Sequence, residues 1–102
     1  MLETDDLVTM ARLRARLELA TANIRTLEAL PLPSRARAIV EISKLDVRCA
    51  LSWLDQADDG RVLASVGQWL EMVESQVATV RRAITAIAVV GGTPDTFTRR
   101  SA

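Results

Sequence analysis

The chain has 102 residues, of which 49% are hydrophobic and 25% charged, and its thirteen basic residues balance thirteen acidic ones. This length allows one domain with a modest core and leaves no room for two. The composition excludes a disordered chain, and the absence of net charge excludes an overall field that would attract nucleic acid or an anionic membrane.

The compartment is predicted from the cysteine content and the first residues. A single cysteine, Cys49, excludes an internal disulfide and fits a reducing cytosol. The start, MLETDDL, lacks the basic and apolar regions of a secretory signal. The longest apolar stretch, AITAIAVVGG, is far shorter than the roughly 20 residues of a membrane-spanning helix. We therefore expect a cytoplasmic, bacterial protein.

Three breaks divide the chain. PLP at 31–33 cannot continue a helix, DDG at 58–60 is typical of a turn, and GGTP at 91–94 combines a glycine stop with a proline. The segments between them contain no other proline and one glycine, Gly67. We expect a single three-helix domain at 1–92, with helices at about 5–30, 34–57 and 60–90, followed by a flexible tail at 93–102.

The first helix has a cap signal and two apolar stripes. Thr4, with Asp5 and Asp6, can cap its N-terminus. One stripe has the spacing of a core seam: Met10, Leu13, Leu17, Ala20, Ile24 and Leu27. The opposite stripe has small residues that would let another helix approach closely: Val8, Ala15, Ala22 and Ala29, flanked by Leu19. The alternative is that these alanines are only good helix formers on a solvated face.

The second helix follows Pro33, with Ser34 as its expected N-cap. Its charges lie in one sector and leave an apolar arc of about 240°, more than two neighbouring helices require. We assign the outward part of this arc to a partner interface: Val40, Val47, Leu51 and Leu54. The inward part then contains Ile39, Ile42, Cys49 and Trp53 together with a polar residue, Asp46.

The third helix begins at Asp59 or Gly60 and has the strongest pattern in the chain. Its apolar residues form a heptad seam typical of coiled-coil packing: Leu63, Val66, Leu70, Val73, Val77, Val80, Ile84 and Ile87. Short connections make neighbouring helices antiparallel. The predicted fold is all-α, an up-down-up bundle of three long helices that associates into a larger helical bundle.

Asp46 needs a partner if it is buried, because an isolated carboxylate in an apolar layer costs on the order of several kcal/mol. Folding back at the two turns brings it level with Arg16, Trp69 and Gln76. We expect an Asp46–Arg16 pair, with the Trp69 indole or the Gln76 amide as further donors. Three interpretations stay open: a structural polar layer that sets the register, a contact with an arginine of another chain, and a ligand pocket lined by these four residues.

Most catalytic chemistry is missing from the composition. The absence of His and Tyr removes the commonest general base and zinc ligand, and a carboxylate one turn away disfavours the thiolate of Cys49. Arg12, Arg14 and Arg16 are spread around their helix, which does not favour a nucleic-acid surface. The sequence therefore indicates no catalytic residue, no metal site and no cofactor.

The function predicted from these features is a non-enzymatic protein-protein interaction module. It would be a homodimerising scaffold, or a small regulator or inhibitor that docks the faces of helices 1 and 2 on a larger protein. The alternative is a helical small-molecule-binding protein or enzyme, with a site between helices or subunits around Arg16 and Asp46.

Overall fold

A computed structural model describes residues 2–87 as three α-helices joined by two short turns. The helices are α1 (Thr4–Glu28), α2 (Ser34–Asp55) and α3 (Gly60–Ala86), and each packs against the other two. No strand occurs between residues 2 and 87, so the predicted all-α bundle is confirmed. The expected glycine stop and C-terminal tail lie outside the described residues.

Contacts between side chains give the direction of each helix. Arg14 of α1 pairs with Asp55 of α2, and Glu28 at the end of α1 pairs with Lys44, so α1 and α2 are antiparallel. The α1–α3 contacts Arg16–Glu74 and Asn23–Arg81 both join residues 58 apart, so these two helices run parallel. The topology is therefore up-down-up.

The helix starts agree with the sequence signals only in part. Asp59 caps α3, because its carboxylate accepts hydrogen bonds from the backbone amides of Arg61 (2.8 Å) and Val62 (3.1 Å). The predicted cap of α1 is wrong. Thr4 is already helical, and the amide of Glu3, the residue before it, donates to the Asp6 carboxylate at 3.1 Å.

The predicted cap of α2 is wrong as well. Ser34 is the first helical residue, and the cap position before it is occupied by Pro33 in an extended conformation. Proline there positions the chain for helix entry without any side-chain hydrogen bond to the first turn.

The core seams of α1 and α3 are confirmed almost throughout. The fully buried residues of α1 are Leu13, Leu17, Ala20, Ile24 and Leu27, and those of α3 are Leu63, Val66, Leu70, Val73, Val77 and Val80. Met10 and Ile84 are partly buried against this core, whereas Ile87 is exposed. The two seams thus position α1 and α3 side by side and leave one groove for α2.

The orientation predicted for α2 is wrong. Three of the residues assigned to a partner interface, Val40, Val47 and Leu54, are buried in the core, and Leu51 is partly buried beside them. The remaining buried residues of α2 are small: Ala36, Ser43 and Ala50, spaced seven apart. Small side chains at the centre of the contact let α2 approach both neighbours closely, so the helix packs through this face rather than through its largest apolar side chains.

Candidate functional site

The predicted Asp46–Arg16 pair does not form. The Arg16 guanidinium lies in the α1–α3 groove and donates to the Glu74 carboxylate, with Nη2–Oε1 and Nε–Oε2 distances of 2.5 and 3.3 Å. Asp46 is half-buried at the edge of α2, and no residue between 2 and 87 forms an ion pair or hydrogen bond with its carboxylate. The prediction failed because it followed from the wrong orientation of α2, and water can solvate the carboxylate at this edge.

A different polar contact lies inside the α2–α3 interface. The Ser43 hydroxyl, on a side chain that is only 1% exposed, lies 2.8 Å from Oε1 of Gln76 and 2.9 Å from the Ile39 carbonyl. Gln76 was predicted as a partner of Asp46 and instead satisfies Ser43. The seven-residue spacing of Ser43 with Ala36 and Ala50 indicates that Ser43 shares their face of α2, but it does not indicate which residue Ser43 contacts.

The four predicted polar-site residues do not form one pocket. The Trp69 ring packs edge-on against Trp53, with centroids 6.4 Å apart and planes at 63°. Trp69, Gln76 and Asp46 therefore lie along the α2–α3 side of the bundle, whereas Arg16 lies on the α1–α3 side. Core side chains separate the two sides.

The groove that contains Arg16 is small and its charges are already paired. It has a volume of about 140 Å³ between α1 and α3, and a similar groove between α1 and α2 has about 170 Å³. The hydrogen bond that Arg16 donates to the Glu74 carboxylate raises the pKa of Arg16, and Arg81 donates to the Asn23 side chain at 2.8 Å. Ligand pockets are usually on the order of 300 Å³ or larger, so neither groove has the size of a ligand site.

Neither a cluster of metal ligands nor a membrane-spanning helix occurs in the described part of the chain. Among residues 2–87, no three His, Cys, Asp or Glu side chains are grouped so that they could hold a metal ion. Within the same range, none of the helices combines the length and apolar character needed to cross a bilayer.

The largest unexplained feature is an apolar surface on the outside of α2, which we call the outer strip. It contains Ile42, Leu45, Cys49 and Trp53 of α2 and Met72 of α3. Spacings of three and four residues place the α2 members within a sector of about 80°. Ile42, Leu45, Trp53 and Met72 are 52%, 60%, 53% and 43% exposed, and Cys49 is exposed as well.

The position of Met72 makes the outer strip wider than one helix. Met72 lies between Trp69, which contacts Trp53, and Gln76, which contacts Ser43, on the edge of α3 that faces α2. The strip therefore crosses the α2–α3 junction. Sequence reasoning assigned Ile42, Cys49 and Trp53 to the interior and did not consider Leu45 or Met72. The signal for Leu45 is the second apolar face of α2, for which sequence reasoning predicts the opposite orientation.

The predicted interface stripe of α1 is exposed. It consists of Val8, Ala15, Leu19, Ala22 and Ala29. Val8 and Leu19 are its only large side chains and lie eleven residues apart, with alanines between them. This surface offers less apolar area than the outer strip, and its role as an interface stays a prediction.

Comparisons of the chain with protein-family models, with curated proteins and with solved structures find no match. The geometry of the bundle is therefore the basis for proposing a function.

Proposed function

We propose that the protein functions by non-enzymatic association with another protein chain through the outer strip. The partner that we propose first is a second copy of the same chain. The observation that carries the proposal is the alignment of four large, exposed apolar side chains at one surface. Apolar side chains scattered singly on a surface are normal, whereas a contiguous group of them marks an interaction site. The small volumes of the grooves give no comparable support to a small-molecule site.

The size of α2 limits the expected affinity. Its 22 residues make a helix about 33 Å long, so a contact along its full length would cover roughly 600 Å² of each chain. Stable interfaces usually bury about 800 Å² per partner, so we expect a reversible complex between chains that are already folded.

The proposal also includes the compartment. Cys49 lies within the outer strip as an exposed thiol. We propose a cytoplasmic location, because a reducing environment keeps an exposed, unpaired thiol reduced.

The deciding experiment compares two leucines that are equally exposed on different helices. Leu45 in the outer strip is 60% exposed and Leu19 on α1 is 62% exposed, so Leu45→Glu and Leu19→Glu introduce the same charge at matched sites. We expect the wild-type mass in light scattering to rise with concentration, Leu45→Glu to abolish this rise, and Leu19→Glu to leave it unchanged. Loss of association in Leu19→Glu alone would transfer the function to the α1 stripe.

A second measurement covers the case of a different protein partner. The rate of Cys49 alkylation is measured in the purified protein and in cell extract, because any chain seated on the outer strip shields the thiol. A chain that stays monomeric at all concentrations, with an equally reactive Cys49 in both media, would rule out the proposed function.

A further inference from the structure

The charges that border the outer strip point to the arrangement of the complex. We infer that two copies pair through α2 in antiparallel orientation, about a twofold axis that passes between Lys44 and Leu45. This inference rests on the proposed function and adds to it the identity of the partner, the orientation and the register.

The register follows first from the length of α2. Around a twofold axis the same surface of both copies meets, and antiparallel helices bring residues on the same edge together in reverse order. α2 runs from residue 34 to residue 55, so its midpoint lies between residues 44 and 45. An axis at this midpoint lets the two helices overlap along their whole length and places Leu45, the most exposed member of the outer strip, at the centre.

The charges on the far edge of the strip agree with the same axis. Glu41 and Arg48 lie on the edge of α2 that faces away from α3, three or four residues on either side of the midpoint. In the antiparallel pair, Glu41 of each copy lies opposite Arg48 of the other, which gives two symmetric ion pairs. Both side chains are available for this role. Among residues 2–87, the one ion pair of Glu41 is with Lys44, at 3.8 Å, and Arg48 forms none.

Neighbouring registers lack this complementarity. An axis at residue 48 would place Arg48 opposite its own copy and Glu41 opposite Asp55, so like charges would meet. An axis between residues 51 and 52 would place Arg48 opposite Asp55, which Arg14 already holds, and would leave Leu45 beyond the end of the partner helix.

The opposite edge adds a contact of another kind. Trp53 and Arg35 lie on the edge nearer α3, and both are exposed. The proposed axis brings Trp53 of one copy within one helical turn of Arg35 of the other. A guanidinium over an indole ring is a favourable cation–π arrangement, and it would cover the largest side chain of the outer strip.

Charge reversal tests the pairing of Glu41 with Arg48. Glu41→Arg or Arg48→Glu alone places like charges opposite each other at two points, and we expect each to raise the dimer Kd about tenfold. The double variant restores opposite charges in exchanged positions and should return the Kd to within about threefold of the wild type. Glu18→Arg on the exposed surface of α1 is the control and should leave the Kd unchanged. The helix content and unfolding midpoint of every variant are measured to show that the monomer is intact.

Cross-linking tests the register independently. Leu45→Cys in a Cys49→Ser background places two thiols beside the axis, and mild oxidation should give a covalent dimer. Leu19→Cys in the same background should not. The two native Cys49 side chains would be separated by about 13 Å along the helix, too far for a disulfide, so the wild type should stay uncrosslinked.

The outcomes separate this inference from the proposed function. If Leu45→Glu dissociates the dimer but the double charge reversal fails to restore the Kd, or if the dimer cross-links through Cys49, the proposed register is wrong. Association through the outer strip still stands in that case. A wild type that is monomeric at all concentrations overturns the twofold pairing. If Cys49 is also equally reactive in extract, the proposed function fails with it.

Discussion

The two faces of α2 are both apolar, but one is buried in the bundle and the other is exposed. The buried face is built mainly from small side chains and valines, Ala36, Val40, Ser43, Val47 and Ala50, with Leu54 as its one large residue. The outer strip on the other side has isoleucine, leucine and tryptophan. In a closely packed bundle the space between helices, rather than hydrophobicity alone, decides which face is buried. Most of the large side chains of α2 are left outside, where the folding of a single chain does not need them.

The largest expected difference between the faces is in the cost of removing a leucine. Leu54 is fully buried, so Leu54→Ala should lower the free energy of unfolding by about 2–5 kcal/mol through lost burial and the cavity left behind. Leu45→Ala, on the outer strip, should change it by less than about 0.5 kcal/mol in dilute solution, where the chain is monomeric. Urea titration followed by circular dichroism measures both. Equal losses would mean that the two faces are not distinct.

Enlarging a side chain should have different effects on stability at two adjacent residues of α2, one on each face. Ala50 is fully buried and Cys49 is exposed. Ala50→Leu should destabilise the monomer by about 1–3 kcal/mol, because the added carbons have no space between the helices. Cys49→Leu should have little effect on unfolding in the same titration. A harmless Ala50→Leu would show that the α2 contact is loose and that small size is not the reason for its orientation.

The polar contact within the buried face should have a smaller effect. Ser43→Ala leaves the Gln76 side chain without its partner and should cost about 1 kcal/mol of unfolding free energy. Gln76→Ala should cost less, because the single proton of the Ser43 hydroxyl can still be donated to the Ile39 carbonyl. The double variant should cost clearly less than the sum of the two, as a double-mutant cycle measures for interacting side chains. If the two losses of unfolding free energy are additive, Ser43 and Gln76 do not interact.

The smallest effect on stability is expected at the border between the two faces of α2, where Lys44 forms an ion pair with Glu28 of α1. The hydrogen bond that Lys44 donates to the Glu28 carboxylate is the main cause that raises the Lys44 pKa above its ordinary value of 10.5. A raised pKa in the folded chain gives stability that is fully present below about pH 10.5 and is lost as the pH rises through the folded pKa. The wild-type unfolding midpoint should therefore fall more above this pH than that of Lys44→Met. Parallel curves would show that the pair does not contribute.

The success of sequence reasoning differed between the helices for a physical reason. α1 and α3 each have one continuous seam of large apolar side chains, so only one orientation buries them, and the fold class and these cores were predicted correctly. α2 has apolar residues on two sides, and hydrophobic periodicity cannot choose between them. The choice of the side with the larger residues placed Asp46 inside, and the expected pair with Arg16 followed from that single error.

The helix N-termini also show that the sequence pattern alone does not choose between alternatives. Several polar side chains near each N-terminus are able to cap, and only the local backbone decides which one does. The prediction that α3 begins at Asp59 or Gly60 is confirmed, with Asp59 as the cap, whereas Glu3 with Asp6 replaced Thr4 and Pro33 displaced Ser34. Interactions between distant residues, such as that of Ser43 with Gln76, require the three-dimensional register and were not accessible from spacing alone.

The separation of the outer strip from the core residues of α2 has a consequence for how the sequence can change. No residue of the strip is among the fully buried ones. If the protein associates through the outer strip as proposed, substitutions there would strengthen, weaken or redirect association while each chain still folds alone, and substitutions in the core would alter folding without changing the contact surface. The two properties can therefore evolve, or be engineered, one at a time.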